Sequence, residues 1–350
     1  MTVTHPTIAI AVPLQAELIA AIRASSPGIT VLYEPELLPP ERFAADHAGD
    51  PRFQRSPEQE RRYWDMLMSA DILLGFPNDN AAGLARIAAN PKLEWIQAMA
   101  SGAGGTVRAA RLSAKDLDRI AVTSSAGVHA LPLAEFAMLG LLGGFKRVPE
   151  LAADQSAKHW PELRTPTRMA QGSHIVIAGL GEIGLETARL ARALGMTVSG
   201  TKHRVGPIAG IEEVAPSAEL PRLLGTADAL INTLPGTPDT ERLIGAEVFA
   251  AMQPGTVVVN VGRGSVIDEP ALLAALDNGQ VGYACLDVFA VEPLPADSAL
   301  WGHPRVLVSP HSAALGATEN QLITERFIEN LQHFLAGAPL LHVVDPQHFY

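Results

Sequence analysis

The chain has 350 residues, 47% of them hydrophobic and 18% charged, which suits two well-buried globular domains and excludes a disordered protein. The formal net charge of −11 would repel a phosphate backbone, so we expect no nucleic-acid partner. The single cysteine, Cys285, excludes an internal disulfide and a thiolate zinc site, and we predict no metal. Because Cys285 lies in the apolar run 281–288, we expect it to be a buried small hydrophobe.

Short β-branched runs alternate with amphipathic stretches through the first half of the chain. Residues 1–12 lack the charged, apolar and small-residue pattern of a secretory signal. The predicted strands are residues 7–12, 29–33, 72–75, 95–98 and 121–123. A polar, proline-rich stretch at 39–57 is interpreted as a surface insertion before a helix at 58–69. The alternation predicts a parallel sheet covered by helices.

A long apolar helix, predicted at 132–146, leads into the second half. The apolar segment 130–145 contains Glu135 and is too short to cross a bilayer, so we expect a cytoplasmic protein with no membrane partner. A polar stretch at 154–171 follows. The next predicted strands are residues 173–178, 197–201, 229–233, 257–261, 282–287 and 306–309. These six strands predict one doubly wound domain, and we expect the last helix, 319–335, to return to the first domain.

A glycine-rich turn follows the first strand of this second series. Gly179, Gly181 and Gly184 have the G-x-G-x-x-G spacing between an apolar strand and a predicted helix. These glycines allow a tight turn, close approach of a pyrophosphate and close packing of helix on strand. Backbone amides at the start of the helix, near Glu182 and Ile183, then face the phosphates. The pattern predicts a dinucleotide-binding site.

The end of the next strand lacks the acidic residue that ordinarily accepts the ribose hydroxyls. Thr201, Lys202, His203 and Arg204 occupy this position and offer a hydroxyl and cations instead. The alternative interpretation is a solvated basic loop. We therefore predict NADP(H) as the preferred cofactor, with NAD(H) as the alternative.

Three later strands end in residues that suit hydride transfer to a keto acid. Arg263 follows one strand, Asp287 and Glu292 follow the next, and His311 follows the last. The ends of parallel strands gather at one edge of a sheet, so these side chains should converge. Arg263 can bind a carboxylate and a carbonyl, His311 can donate a proton, and Glu292 can favour the protonated imidazole. Singly, they could be a helix-capping arginine, a surface glutamate and a core histidine.

Segments 230–240, 257–272 and 284–314 resemble the D-isomer-specific 2-hydroxyacid dehydrogenase family. The resemblance implies an α/β fold with two doubly wound parallel-sheet domains. One is a Rossmann cofactor domain at 127–317. The other is a discontinuous, flavodoxin-like substrate domain at 1–126 and 318–350. The resemblance also implies a homodimer.

The same resemblance implies further cofactor contacts. Asp287 would hold the nicotinamide carboxamide, and Val261 and Gly262 would line its ring. Leu234 and Pro235 would flank the adenosine side.

The resemblance makes Arg263, Glu292 and His311 the catalytic set, with Arg263 and His311 also contacting the substrate. Ser101 and Gly102 correspond to a loop whose amides bind the substrate carboxylate.

Several positions depart from the family pattern. Gly104 replaces an aspartate, Arg305 replaces an asparagine ahead of the last strand, and Lys202 replaces the acid of the second cofactor strand. Glu292 argues against a formate dehydrogenase, which has glutamine there. Trp160 lies where some reductases of this family reach across a dimer to the active site, and the alternative is packing on its own surface.

The function implied is that of a glyoxylate/hydroxypyruvate reductase. One alternative is a reductase of bulkier 2-keto acids. Another is a corepressor-like scaffold of the same fold that senses the dinucleotide. An adenosylmethionine enzyme would lack the Arg263, Glu292 and His311 set.

Overall fold

The computed structural model describes residues 5–316 and 318–346. The chain forms two compact units, one running up to His129 and resuming at Leu315, the other spanning Ala130–Ala314. Each unit has one sheet, and all neighbouring strands within both sheets are parallel. The predicted α/β class with two parallel sheets is confirmed.

The first unit has a five-stranded sheet. Its strands are β1 Thr7–Ile10, β2 Thr30–Leu32, β3 Ile72–Leu74, β4 Trp95–Gln97 and β5 Ala121–Thr123. Its first helices are α1 Ala16–Ala24, α2 Pro57–Met68, α3 Ala81–Ile87, α4 Ala103–Ala110 and α5 Ala114–Arg119. The strand order β2-β1-β3-β4-β5 is the flavodoxin-like order, as predicted.

The start of α2 shows how local sequence sets a boundary. The Ser56 hydroxyl accepts from the Gln59 amide, and the Gln59 side chain accepts from the Ser56 amide. This reciprocal pair, with Pro57 in the first turn, satisfies amides that the helix itself leaves unpaired. The predicted helix at 58–69 therefore begins one residue earlier.

The second unit has a seven-stranded sheet. Its strands are β6 His174–Ala178, β7 Thr197–Thr201, β8 Val214–Ala215, β9 Ala229–Asn232, β10 Thr256–Asn260, β11 Val281–Leu286 and β12 Val306–Val308. Its helices are α6 Ala130–Phe145, α7 Val148–Ala157, α8 Glu182–Ala193, α9 Leu220–Leu224, α10 Ala246–Ala250 and α11 Glu269–Asp277. The strand order in this sheet is β8-β7-β6-β9-β10-β11-β12. The chain first adds strands on one side of β6 and then on its other side, as in a doubly wound Rossmann sheet. Strand β8 was not predicted.

One row of paired residues marks the carboxyl edge of this sheet. In register across it lie Ala215, Thr201, Ala178, Asn232, Asn260, Leu286 and Val308. Segments that leave the sheet just beyond this row are therefore neighbours at one edge.

Helix α6 packs closely on the sheet through two glycines. A Cβ on Gly140 would lie 2.6 Å from Cys285 Cβ, and one on Gly144 would lie 2.5 Å from a Val257 methyl. Cys285 is fully buried, as predicted, and burial raises the pKa of its thiol to about 12. Cys285 is thus a packing residue and not a nucleophile.

The last helix, α12 Glu319–Ala336, belongs to the first unit and packs against α1. The Trp95 ring stacks on Phe327 and Phe334, with ring centroids 5.0 and 5.8 Å apart. In the part of the chain that the structure describes, no helix is long and apolar enough to span a membrane.

Candidate active site

The glycine turn after β6 has the geometry that a pyrophosphate needs. Gly179 has a φ of +102°, which favours glycine, and a Cβ on Gly184 would lie 2.2 Å from the Gly179 carbonyl oxygen. A Cβ on Gly181 would meet no atom within 4 Å, so space is open where α8 begins at Glu182. The residue before α8 is Gly181, which has no side chain to accept from the first amides of the helix. Ile183 is the second residue of α8 and lies in its first turn. The turn therefore fits a dinucleotide phosphate.

The end of β7 differs in part from the prediction. Thr201 is fully buried, and its hydroxyl accepts from the Gly179 amide at 3.2 Å. It therefore orders the glycine turn and does not present its hydroxyl to a ribose phosphate. Lys202 is half-buried, and its Nζ donates to the Leu180 carbonyl at 3.1 Å. His203 and Arg204 are exposed.

A buried pair of asparagines, unassigned by the sequence analysis, shapes the ends of β9 and β10. Asn232 Nδ2 donates to Asn260 Oδ1 at 2.9 Å. Asn232 Oδ1 accepts from the Leu234 amide at 3.2 Å, and Asn260 Oδ1 accepts from the Gly262 amide at 3.1 Å. A Cβ on Gly262 would lie 2.6 Å from the Leu234 carbonyl oxygen, so the two loops touch. Of the predicted cofactor residues here, Leu234, Val261 and Gly262 are buried and Pro235 is exposed.

Arg263 follows β10 and is exposed at the sheet edge. Its Nη1 donates to the Gly262 carbonyl at 2.7 Å. The next residue, Gly264, has no room for a side chain, because a Cβ there would lie 1.8 Å from the Phe289 carbonyl carbon. The Arg263 turn is therefore packed directly against the loop that carries Glu292.

Asp287 organises the turn that carries His311. Asp287 is 1% exposed, and its Oδ1 accepts from Ser309 Oγ at 2.5 Å and from the Ser312 and Ala313 amides at 2.9 and 3.0 Å. Its carbonyl accepts from the His311 amide at 2.9 Å. His311 has a φ of +53°, an uncommon conformation that these bonds hold in place.

Glu292 and His311 form a contact that the sequence analysis predicted. Glu292 Oε2 lies 2.7 Å from His311 Nδ1, and Glu292 Oε1 accepts from the Phe289 amide at 2.9 Å. The side chains are 35% and 52% exposed, so solvent and ligands reach them. Because Nδ1 is engaged, Nε2 is the ring nitrogen that can serve a substrate. The second unit thus brings Arg263, Asp287, Glu292 and His311 to one sheet edge.

The segment at residues 100–104 lies in the first unit and contains a contact that the sequence analysis missed. Ser101 Oγ lies 2.6 Å from His129 Nδ1 and 3.2 Å from the Ser125 carbonyl oxygen. His129 Nε2 lies 2.9 Å from Glu319 Oε1. Gly102 precedes α4, and Gly104, which replaces the family aspartate, lies inside that helix. Ser101 and the Ser125 amide, which donates to the Ala100 carbonyl at 3.2 Å, anchor this loop.

Arg305 and Trp160, which the sequence analysis singled out, both lie in the second unit. Arg305 donates to the Leu276 carbonyl, a structural contact. Trp160 is 82% exposed, so the alternative that it packs on its own surface is wrong. Across residues 5–316 and 318–346, no group of three His, Cys, Asp or Glu side chains could hold a metal ion.

The comparisons with known proteins agree on one family. The model of the D-isomer specific 2-hydroxyacid dehydrogenase NAD binding domain matches residues 138–313. Glyoxylate/hydroxypyruvate reductase A of Yersinia enterocolitica is 32% identical over 216 residues, which cover 62% of this chain and 68% of that protein.

Solved structures match almost the whole chain. The D-isomer specific 2-hydroxyacid dehydrogenase from Xanthobacter autotrophicus, in complex with NADPH and MES, has a TM-score of 0.76 and 27% identity, covering 99% of this chain and 100% of the other. The NADPH-dependent glyoxylate/hydroxypyruvate reductase from Sinorhizobium meliloti, in complex with NADP and sulfate, has a TM-score of 0.74 and 25% identity, with the same coverage of both chains. The family match includes the glycine turn, Arg263, Glu292 and His311. The chain therefore belongs to the D-isomer specific 2-hydroxyacid dehydrogenase family of nicotinamide-dependent oxidoreductases.

Proposed function

We propose that this enzyme reduces a small 2-keto acid of the glyoxylate or hydroxypyruvate type, with NADPH preferred over NADH. The observation that carries this proposal is the 2.7 Å contact between Glu292 and His311 at the sheet edge that also bears Arg263. A 2-keto acid needs a cation for its carboxylate and a proton for its carbonyl oxygen. The likeness to glyoxylate/hydroxypyruvate reductase A supports the small substrate.

The residues have separate roles in this reduction. Arg263 binds the carboxylate and carbonyl oxygens with its planar guanidinium. His311 donates the proton from Nε2 to the carbonyl oxygen, and Glu292 orients the ring through its contact with Nδ1. Asp287 holds the turn that presents His311. The glycine turn at Gly179 would hold the pyrophosphate of a bound NADPH, whose nicotinamide ring would supply the hydride.

The first unit is proposed to be the substrate-binding domain. The Ser101 hydroxyl and the Gly102 amide are proposed to bind the substrate carboxylate. Their position supports this role, since they follow β4 at the carboxyl edge of the first sheet, where ligands of doubly wound folds bind.

A turnover screen tests the reaction and its substrate. Oxidation of NADPH is followed with glyoxylate, hydroxypyruvate, pyruvate and branched or aromatic 2-keto acids. We expect the highest kcat/KM for glyoxylate and hydroxypyruvate. His311→Ala should lower the rate of reduction about 10²–10⁴-fold with cofactor affinity retained. Preference for the branched or aromatic acids would favour the alternative, a reductase of bulkier substrates. No turnover with any acid would overturn the proposal.

The NADPH preference rests on the basic segment after β7. Arg204 and His203 are exposed, and Lys202 is half-buried. Basic side chains therefore occupy the end of β7, where an acidic residue usually binds the ribose hydroxyls. One charge-assisted hydrogen bond to a 2′-phosphate contributes about 1.5–3 kcal/mol, or roughly ten- to a hundredfold, before screening by salt.

Steady-state kinetics with both cofactors test this preference. Lys202→Ser with Arg204→Ser should raise KM for NADPH far more than KM for NADH, whereas Arg61→Ser, an exposed arginine on α2, should change neither. Equal or better kcat/KM with NADH in the wild type would show that the basic segment points away from the ribose.

A homodimer is proposed from the exposed apolar side chains that follow α7. Trp160, Leu163 and Met169 are 82%, 91% and 68% exposed, and a partner subunit would cover them. We expect a dimer by analytical ultracentrifugation and a monomer after Leu163→Glu. If Trp160→Ala leaves KM unchanged for every substrate, Trp160 does not reach a partner's active site.

A further inference from the structure

Three side chains of the first unit form a continuous hydrogen-bonded chain that starts at the proposed substrate loop. Ser101 Oγ is 2.6 Å from His129 Nδ1, and His129 Nε2 is 2.9 Å from Glu319 Oε1. Ser101 is exposed, the His129 side chain is 12% exposed and the Glu319 side chain is 8% exposed. These hydrogen bonds therefore connect the exposed Ser101 to the buried Glu319.

The buried end of this chain is a carboxylate with one protein partner. Glu319 Oε2 is buried and has no hydrogen-bond partner among the described residues, so His129 is the only donor that the structure gives this group. A buried carboxylate is costly unless a positive charge pairs with it. A carboxylate oxygen accepts hydrogen bonds, so His129 Nε2 is the donor to Glu319 Oε1.

Protonation of His129 decides what the Ser101 hydroxyl can do. An imidazolium has two N–H donors and no acceptor, so with Nε2 on Glu319 its Nδ1 donates to Ser101 Oγ. The 2.6 Å distance suits such a charge-assisted bond. With Nδ1 as the donor, the single Ser101 hydroxyl proton is left for another acceptor, and the Ser125 carbonyl oxygen lies 3.2 Å from Ser101 Oγ. A neutral His129 that donates to Glu319 would instead take the Ser101 proton on Nδ1.

We infer that His129 and Glu319 are positioning residues that make the Ser101 hydroxyl a hydrogen-bond donor for the substrate carboxylate. A carboxylate only accepts hydrogen bonds, so it binds Ser101 well only when the hydroxyl proton faces it. This inference rests on the proposed binding of the substrate carboxylate by Ser101. It assigns a function to two residues that do not themselves touch the substrate.

A double-mutant cycle with the preferred 2-keto acid tests the inference. Ser101→Ala and Glu319→Gln should each raise KM about ten- to a hundredfold, because each removes the donor, while kcat changes less than about threefold. The double variant should have no higher KM than the worse single variant, since both act on one hydrogen bond. Glu325→Gln, an exposed position on α12, is the matched control and should leave KM unchanged.

The outcomes separate the inference from the function on which it rests. An unchanged KM in Ser101→Ala would remove the role of Ser101 in the proposed function. A raised KM in Ser101→Ala with an unchanged KM in Glu319→Gln would overturn the inference alone, as would effects that multiply in the double variant.

A direct measurement does not depend on how the variants fold. In ¹⁵N NMR of histidine-labelled wild-type enzyme, His129 Nδ1 should carry a proton, because it donates to Ser101 Oγ. A His129 Nδ1 without a proton in this spectrum would overturn the inference whatever the kinetics show.

Discussion

Gly264 gives a test of the active-site geometry through a residue that contacts no substrate. In Gly264→Ala the new Cβ would lie 1.8 and 2.0 Å from the carbonyl carbon and oxygen of Phe289. Relief of this clash requires the two backbones to separate by about 1.5 Å, which also moves the Phe289 amide that holds Glu292. Because a shift of about 1 Å at a reacting group can cost about 10²-fold in rate, we expect kcat/KM to fall by roughly that factor.

The same variant should be less stable, because the site is overpacked. A loss of about 1–3 kcal/mol in the free energy of unfolding is typical of such sites, and each kcal/mol lowers Tm by about 2–4 °C for a unit of this size. Differential scanning calorimetry and NADPH oxidation measure the two effects. Gly302→Ala is the control, since its Cβ would meet no atom within 4 Å. Wild-type kcat/KM in Gly264→Ala would refute the argument that the Arg263 turn positions Glu292.

Two further substitutions probe the charges of the site. Glu292→Gln should lower kcat about tenfold with cofactor affinity retained, because a neutral amide replaces the carboxylate that holds His311 Nδ1 at 2.7 Å; an unchanged kcat would show that this contact does not position the imidazole. Arg263→Lys should lower kcat/KM about 10²-fold with cofactor affinity by fluorescence titration retained, because an ammonium cannot form two parallel hydrogen bonds; near-normal kcat/KM would place the carboxylate elsewhere.

Strands were predictable where several buried β-branched residues occur together, and elements without that signal were not. β7 has the predicted bounds, and its residues from Val198 are buried. β8 has only two residues, too few for any periodicity. The sequence analysis predicted a polar stretch from residue 154, but α7 extends to Ala157. This helix was missed because none of its residues is buried, so its sequence has no apolar face to detect.

The residues of the candidate active site divide in the same way. The convergence of Arg263, Glu292 and His311 was predictable because each follows a strand of one parallel sheet, so chain order reports spatial proximity. Thr201 was misassigned, because its place at the end of β7 does not reveal that its hydroxyl turns inward to Gly179. His129 and Glu319 are 190 positions apart, and no local pattern relates them.

The return of α12 to the first unit has a consequence for the order in which the protein matures on the ribosome. Ile323, Phe327 and Leu331 of this helix are fully buried in the same cluster as Trp95 of β4. The five strands of the first sheet are synthesised before the whole second unit, and α12, which packs on them, is synthesised after it. The contiguous second unit can therefore fold while the nascent chain is still growing, whereas the first sheet keeps an apolar face open until translation has passed residue 331. Since Glu319 belongs to that same late helix, the nascent enzyme acquires its dinucleotide turn before the buried partner of His129 exists.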